Sequence, residues 1–173
     1  MRKIIRILIL SVFVLVLGGC GQGTTFTSKS NASIDDVCNY FPKELVEEAI
    51  GRPIVKVEGP GLMTDKVCNY YTDWQEGFYG GRLGGGPNIA VVVEEGLAAW
   101  KANKEKNGYL LEKDPSITMD HYIVRNSAKQ IWQVTLILGT DKYLRIQANH
   151  SAVDGPGLIK IAAKFAEKIQ KSK

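Results

Sequence analysis

The spacing of apolar and polar residues predicts a mixture of helices and strands from about residue 34 to the end of the chain. Apolar residues at helical spacing predict amphipathic helices at about residues 42–50, 94–107 and 156–170. Alternating or continuous apolar runs predict strands at about residues 52–58, 66–74, 88–93, 109–111, 116–125, 130–138 and 142–149. This order of elements predicts one α+β domain over residues 34–173, an antiparallel sheet with helices packed against it.

Two of the predicted strands have informative patterns. In the last strand, Leu144, Ile146 and Ala148 share one face and polar residues occupy the other, which predicts that one face meets water. Residues 89–93 are almost continuously apolar, which predicts a strand that is covered on both faces.

The first nineteen residues have a pattern of their own. Residues 2–6 contain three basic side chains, residues 7–17 are almost entirely apolar, and Gly18, Gly19 and Cys20 follow. A charged head, a short apolar segment and small residues are typical of a secretory signal peptide. A cysteine directly after small residues resembles the bacterial lipoprotein signal. The resemblance implies that the segment 1–19 is removed and that Cys20 becomes the lipid-bearing N-terminus.

This interpretation predicts a protein of the cell envelope that faces the periplasm or the cell exterior. Acyl chains such as palmitate on Cys20 would hold it at the membrane, since each buried methylene contributes about 0.8 kcal/mol. Residues 20–33 are mostly small and polar, which predicts a flexible tether. The alternatives are a plain transmembrane anchor or a disposable secretion signal, although the apolar run is short for a span of about 20 residues.

The charge of the chain does not favour nucleic acid as a partner. The predicted signal contains three basic residues, so its removal lowers the formal net charge from +4 to +1. No strong positive field remains on the mature chain.

Two cysteines remain for the domain, Cys38 and Cys68. An even pair in an exported chain predicts a disulfide, because the cell envelope is oxidising. The alternatives are two buried thiols, or a redox or metal pair, but no CxxC spacing is present and no histidine lies near in sequence.

A longer pattern surrounds these cysteines. It consists of Cys38-x-x-Phe41, a helix that ends in Gly51, a strand, and then Cys68-x-Tyr70 in the next strand. The pattern resembles a group of small envelope lipoproteins that share a domain with the external sensor part of a mycobacterial Ser/Thr kinase. The resemblance implies a disulfide-linked α/β sandwich outside the cytoplasm, with a groove for a ligand or a partner.

The segment 77–87 is not part of that pattern, and no binding residue can be transferred to it. It contains six glycines and precedes a strand, whereas phosphate-binding glycine loops lead into a helix. These features predict a long mobile hairpin connection. Phe78, Tyr79 and Arg82 are its candidate recognition residues for an envelope protein or a small ligand.

One string suggests catalysis. His150, Asp154 and Gly155 spell HxxxDG, which resembles the signature of chloramphenicol acetyltransferase and condensation-type acyltransferases. The resemblance implies a general base at His150 and a structural role for Asp154. The short domain, the lack of acyl-CoA outside the cytoplasm and the predicted core-facing position of His150 oppose it. Asp154 is also a favourable cap for the following helix.

No metal site or cofactor is predicted. His121 has acidic neighbours, but a metal site needs three or four convergent ligands. The sequence therefore predicts a membrane-anchored, extracytoplasmic binding module rather than an enzyme. An acyltransferase-like enzyme using His150 and a purely structural envelope lipoprotein remain the alternatives.

Overall fold

A computed structural model describes residues 34, 36–59, 66–79, 82–149 and 152–172, with the backbone alone at 75–79, 82–85 and 149. The predicted signal peptide, the tether, Cys20 and His150 lie outside the described residues. The described helices are α1 Val37–Tyr40, α2 Lys43–Ile50, α3 Leu97–Lys106 and α4 Gly155–Lys171. The described strands are β1 Lys56–Glu58, β2 Val67–Tyr71, β3 Gln75–Tyr79, β4 Arg82–Gly85, β5 Asn88–Glu95, β6 Leu110–Glu112, β7 His121–Arg125, β8 Ile131–Ile137 and β9 Lys142–Asn149.

Seven of these strands form one antiparallel sheet in the order β1-β2-β5-β9-β8-β7-β6. Strands β3 and β4 pair only with each other among the described strands. The predicted α+β class is confirmed, with helices packed on an antiparallel sheet.

The main core lies between one face of the sheet and the helices α1, α2 and α4. On this face the central strands contribute fully buried apolar side chains, including Leu144 and Ile146 of β9. Helix α4 places its apolar stripe against them, and Phe165 from that stripe stacks on Phe41 with ring centroids 3.9 Å apart. Burial of the stripe, not helix propensity alone, fixes α4 on the sheet.

The opposite face of the sheet is half-covered rather than open to water. The predicted alternation in β9 is present, since Leu144 and Ile146 are buried while Arg145 and Gln147 are half-exposed. The prediction for residues 89–93 is wrong. Ile89, Val91 and Val93 are buried, but Ala90 and Val92 between them are half-exposed, because no described helix other than α3 contributes to this face.

Several element boundaries also differ from the prediction, and β1 begins at Lys56 rather than at residue 52. The second predicted helix begins at Leu97, since Glu94 and Glu95 continue β5 and pair with β9 up to Lys142. Gly96, with φ of 86°, makes the left-handed turn between strand and helix. The strand predicted from residue 116 begins at His121, because Asp114 accepts hydrogen bonds from Ser116 and holds a turn there.

The glycine-rich segment 77–87 is more regular than predicted. Its backbone belongs largely to the β3–β4 hairpin, in which Phe78 pairs with Leu83 and Tyr79 pairs with Arg82. At the base of the hairpin Gly86 packs against the carbonyl of Asp73, where a Cβ atom would clash. The glycines therefore permit a closely packed hairpin in addition to a turn.

Candidate functional site

The predicted disulfide is present between Cys38 of α1 and Cys68 of β2, with an S–S distance of 2.04 Å and a Cα–Cα distance of 5.2 Å. Two further contacts fix the same helix. Asp36 caps it by accepting a hydrogen bond from the backbone N–H of Asn39 at 3.0 Å. The buried hydroxyl of Tyr70 donates to the carbonyl of Phe41 just after the helix. The short α1 is thus capped at its start and tied to β2 by the disulfide and by the hydrogen bond of Tyr70.

The candidate recognition residues of the glycine-rich segment lie together in the hairpin. The backbone register places Tyr79 opposite Arg82 at its outer end, with Phe78 one pair further in. The hairpin is separate from the seven-stranded sheet. A recognition role for these three residues stays a prediction.

Of the HxxxDG string, the structure describes the residues from Ala152 to Gly155. Asp154 is the N-cap of α4, and its carboxylate accepts a hydrogen bond from the N–H of Gly157 at 2.8 Å. This geometry confirms the predicted cap. Gly155 packs so closely on Ile131 that an added Cβ would lie 2.8 Å from the Cβ of Ile131. Both residues therefore have structural roles, whatever chemistry the string supports.

A cavity of about 540 Å³ lies beside this helix start, between the β7–β8 turn and the ends of β8 and β9. Its lining is mainly apolar, with Ile131, Trp132, Ala148, Val153 and Pro156. Sequence reasoning missed this site because separate segments supply the lining. The only sign of the cavity in the sequence was the HxxxDG string, whose Asp154 and Gly155 line it.

Two basic residues, Arg125 and Lys129, also line the cavity. The Nε of Arg125 donates to Glu112 at 2.7 Å, and one of its terminal nitrogens donates to the carbonyl of Lys129 at 2.9 Å. Lys129 has a φ of 60°, a left-handed conformation that is strained for a residue other than glycine. The turn is held by the N–H of Gln130, which donates to the side chain of Asn126 at 2.9 Å. The turn therefore fixes positive charge beside an apolar cavity.

A second polar site lies on the half-covered face of the sheet. We call the cross-strand neighbours Asn69, Ala90, Gln147 and Gln133 the carboxamide row, since the strand register places them side by side on β2, β5, β9 and β8. The first three are half-exposed and Gln133 is fully buried. The oxygen of Gln147 accepts from Arg145 at 2.8 Å. The row is polar on β2, β9 and β8, and Ala90 of β5 interrupts it.

Helix α3 packs on the same face of the sheet as this row. The ring of Trp100 is 5.5 Å from that of Tyr143 and 6.0 Å from that of Tyr122, between centroids. One turn later, the ammonium of Lys104 lies 4.6 Å from the ring of Trp132. Burial lowers the pKa of Lys104 below its ordinary value, and the nearby positive charge of Arg145 lowers it further. The contact between helix and sheet is therefore aromatic and polar.

His121 is a buried structural residue in this fold, with 4% of its surface exposed. Its Nε2 accepts a hydrogen bond from the backbone N–H of Asp114 at 2.8 Å, so Nδ1 carries the proton and donates to the carbonyl of Met119 at 2.8 Å. Both ring nitrogens are used in the neutral form. Within the described part of the chain, no group of three or more His, Cys, Asp or Glu side chains could hold a metal ion.

The pKa of His121 should be lower than that of an unfolded histidine, which is about 6.5. Burial is the main cause, because it disfavours the charged imidazolium. Below pH 6.5 the unfolded chain then binds more protons than the folded one, so the free energy of unfolding should fall as the pH is lowered towards the folded-state pKa. An NMR titration of the ring measures this pKa directly. A value above 6.5 would contradict the neutral arrangement.

Comparison with known proteins gives no relative, since no family model, curated protein or solved structure matches the chain. In the part that the structure describes, no helix has the length and apolar character to cross a bilayer.

Proposed function

We propose that the chain is a lipid-anchored, extracytoplasmic binding module whose ligand enters the cavity beside α4. This proposal rests on the presence of the cavity. Its volume of about 540 Å³ lies within the range of about 300–1,000 Å³ that is typical of small-molecule sites. Its walls come from the ends of β8 and β9, the start of the well-packed α4 and the hydrogen-bonded β7–β8 turn, which suits a preformed site.

The lining favours a ligand with an apolar body and an anionic group. The indole of Trp132 and the aliphatic side chains of Ile131 and Val153 would cover the apolar part. Arg125 and Lys129 supply positive charge in the lining, although Glu112 partly neutralises Arg125. Asp154 lines the cavity too, but its carboxylate is engaged with the helix N-terminus.

The proposed location rests on the signal sequence and on the disulfide. The Cys38–Cys68 bond is of a kind that persists in oxidising compartments. The signal pattern before Cys20 supplies the membrane attachment, which stays a prediction from the sequence.

A ligand carried through purification tests the proposal. The full chain, extracted from producing cells in mild detergent, should release a compound upon denaturation that mass spectrometry detects at near-stoichiometric level. Val153→Trp, which places an indole in the cavity lining, should remove the compound. Val55→Trp is the matched control, because Val55 lies away from the cavity and 56% of its surface is exposed.

The outcomes separate the alternatives. Equal amounts of compound in both variants would place binding elsewhere. If no compound is present and no anionic amphiphile raises the melting temperature, the cavity proposal fails, and a structural lipoprotein or a protein partner at Phe78, Tyr79 and Arg82 becomes the better explanation. The intact mass of the same preparation tests the anchor, since an unacylated chain that retains residues 1–19 would contradict it.

An acyltransferase is the second candidate, favoured by one observation. Asp154 and Gly155, two residues of the HxxxDG string, line the cavity. In that case acetyl-CoA should raise the melting temperature, and His150→Ala should abolish transfer to an acceptor without lowering stability. A variant that loses stability in the absence of any transferase activity in the parent would reject the enzyme.

A further inference from the structure

Three buried polar atoms on the α3 side of the sheet have no hydrogen-bond partner within the described residues. They are Oε1 of Gln133, Nε1 of Trp100 and Nε1 of Trp132. In folded proteins the large majority of buried polar atoms are paired, so each exception calls for a partner. Gln133 is the clearest case, because its whole side chain is buried.

The neighbours of Gln133 explain its orientation. Its amide nitrogen donates to the hydroxyl of Thr135 at 2.8 Å, which leaves the amide oxygen as the unpaired end. Gln147 is its cross-strand neighbour and is half-exposed. The carboxamide row therefore leads from an accessible strip to a buried acceptor.

The unpaired atoms restrict the chemistry of a ligand. Two of them are donors and one is an acceptor. An anion would satisfy only the indole N–H groups, and a cation would satisfy only the carboxamide oxygen. A hydroxyl group both donates and accepts, so it can meet either kind of atom. Indole rings also offer flat apolar faces to the C–H surface of a sugar ring.

We propose that Gln133 and Gln147 of the carboxamide row, together with Trp100 and Trp132 on the α3 side of the sheet, form a binding site for a hydroxyl-rich ligand, namely a saccharide. This site is distinct from the cavity of the proposed function. Of the three residues with an unpaired polar atom, only Trp132 also lines that cavity. Arg145 and Glu94 form a bidentate pair at 2.9 and 3.0 Å beside the row, so the local charge is largely balanced. A neutral ligand suits this environment better than a charged one.

Helix α3 is the element that must yield to a ligand. No residue of α3 is fully buried, and its N-terminus has no side-chain cap. It starts from Gly96, whose φ of 86° makes the turn out of β5. Its contact with the sheet depends on the side chains of Trp100 and Lys104 rather than on a continuous apolar stripe.

Intrinsic fluorescence can test the site directly. The chain has three tryptophans, and Trp74→Phe leaves Trp100 and Trp132 as reporters. The full chain with this substitution is titrated with a tetrasaccharide of N-acetylglucosamine and, separately, one of glucose. We expect a saturable change in emission with at least one of them.

The decisive variant is Gln133→Met, which keeps the side-chain volume and removes the unpaired acceptor. It should stay folded and bind the saccharide at least tenfold more weakly. Gln170→Met is the matched control, because Gln170 is exposed near the end of α4 and pairs with Thr118. Equal affinity in the Gln133→Met and parent proteins would overturn the proposal. So would the absence of any saturable response in the folded parent, which would mean that water alone meets these atoms.

Discussion

Replacing both Cys38 and Cys68 by alanine should lower the free energy of unfolding by about 3–4 kcal/mol. The disulfide joins residues separated by 30 positions, and the loss of this loop constraint increases the entropy of the unfolded chain. Since small domains are stable by about 5–15 kcal/mol, the variant should unfold at a much lower denaturant concentration.

Chemical denaturation with and without reductant provides the measurement and its control. Reductant should destabilise the parent protein by a similar amount and leave the double-alanine variant unchanged. Cys20 is retained in both proteins, so it cannot account for the difference. An unfolding midpoint that is the same in the parent and the variant would show that the bond does not restrain the unfolded chain.

The disulfide also matters for the proposed location. It ties α1 to β2, and Phe41 directly after α1 stacks on Phe165 of α4. The bond therefore supports the layer of helices whose last member lines the cavity. A reducing compartment would weaken the domain, which agrees with the extracytoplasmic proposal without testing it.

The elements with strong local patterns were predictable from the sequence. The apolar stripe of α4 has a single orientation that buries it, and the alternation in β9 selects its core face. The cap at Asp154 depends on residues within one helical turn, so it could also be predicted. The disulfide could also be predicted, because a pair of cysteines commonly forms one in the oxidising compartment that the signal pattern predicts.

The missed features depend on contacts between distant segments. The start of α3 was misplaced because Glu94 and Glu95 satisfy the preferences of a helix N-terminus, while pairing with β9 keeps them in a strand. The carboxamide row requires the register of four strands, and no single strand shows it. The cavity likewise requires the β7–β8 turn to meet α4. Both proposed sites depend on the pairing of distant segments, which local patterns do not encode.

Phe165→Ala should be about as damaging as loss of the disulfide, with a cost of about 3–5 kcal/mol. The ring is fully buried and lies almost parallel to that of Phe41, at 3.9 Å between centroids. Its removal would leave a cavity between α4 and the segment after α1, in addition to the lost transfer free energy. Equilibrium unfolding in urea measures the effect, with Lys160→Ala as the exposed control on the same helix.

The control should change stability by no more than about 0.5 kcal/mol. A loss below about 1 kcal/mol in Phe165→Ala would mean that the surrounding side chains collapse into the space. The milder Phe165→Leu connects this packing to function. Because α4 begins at the cavity, a folded Phe165→Leu protein that keeps the co-purified ligand would show that its first turn is held locally by the Asp154 cap and the contact of Gly155 with Ile131. Loss of the ligand from the folded variant would show instead that the core sets the shape of the site.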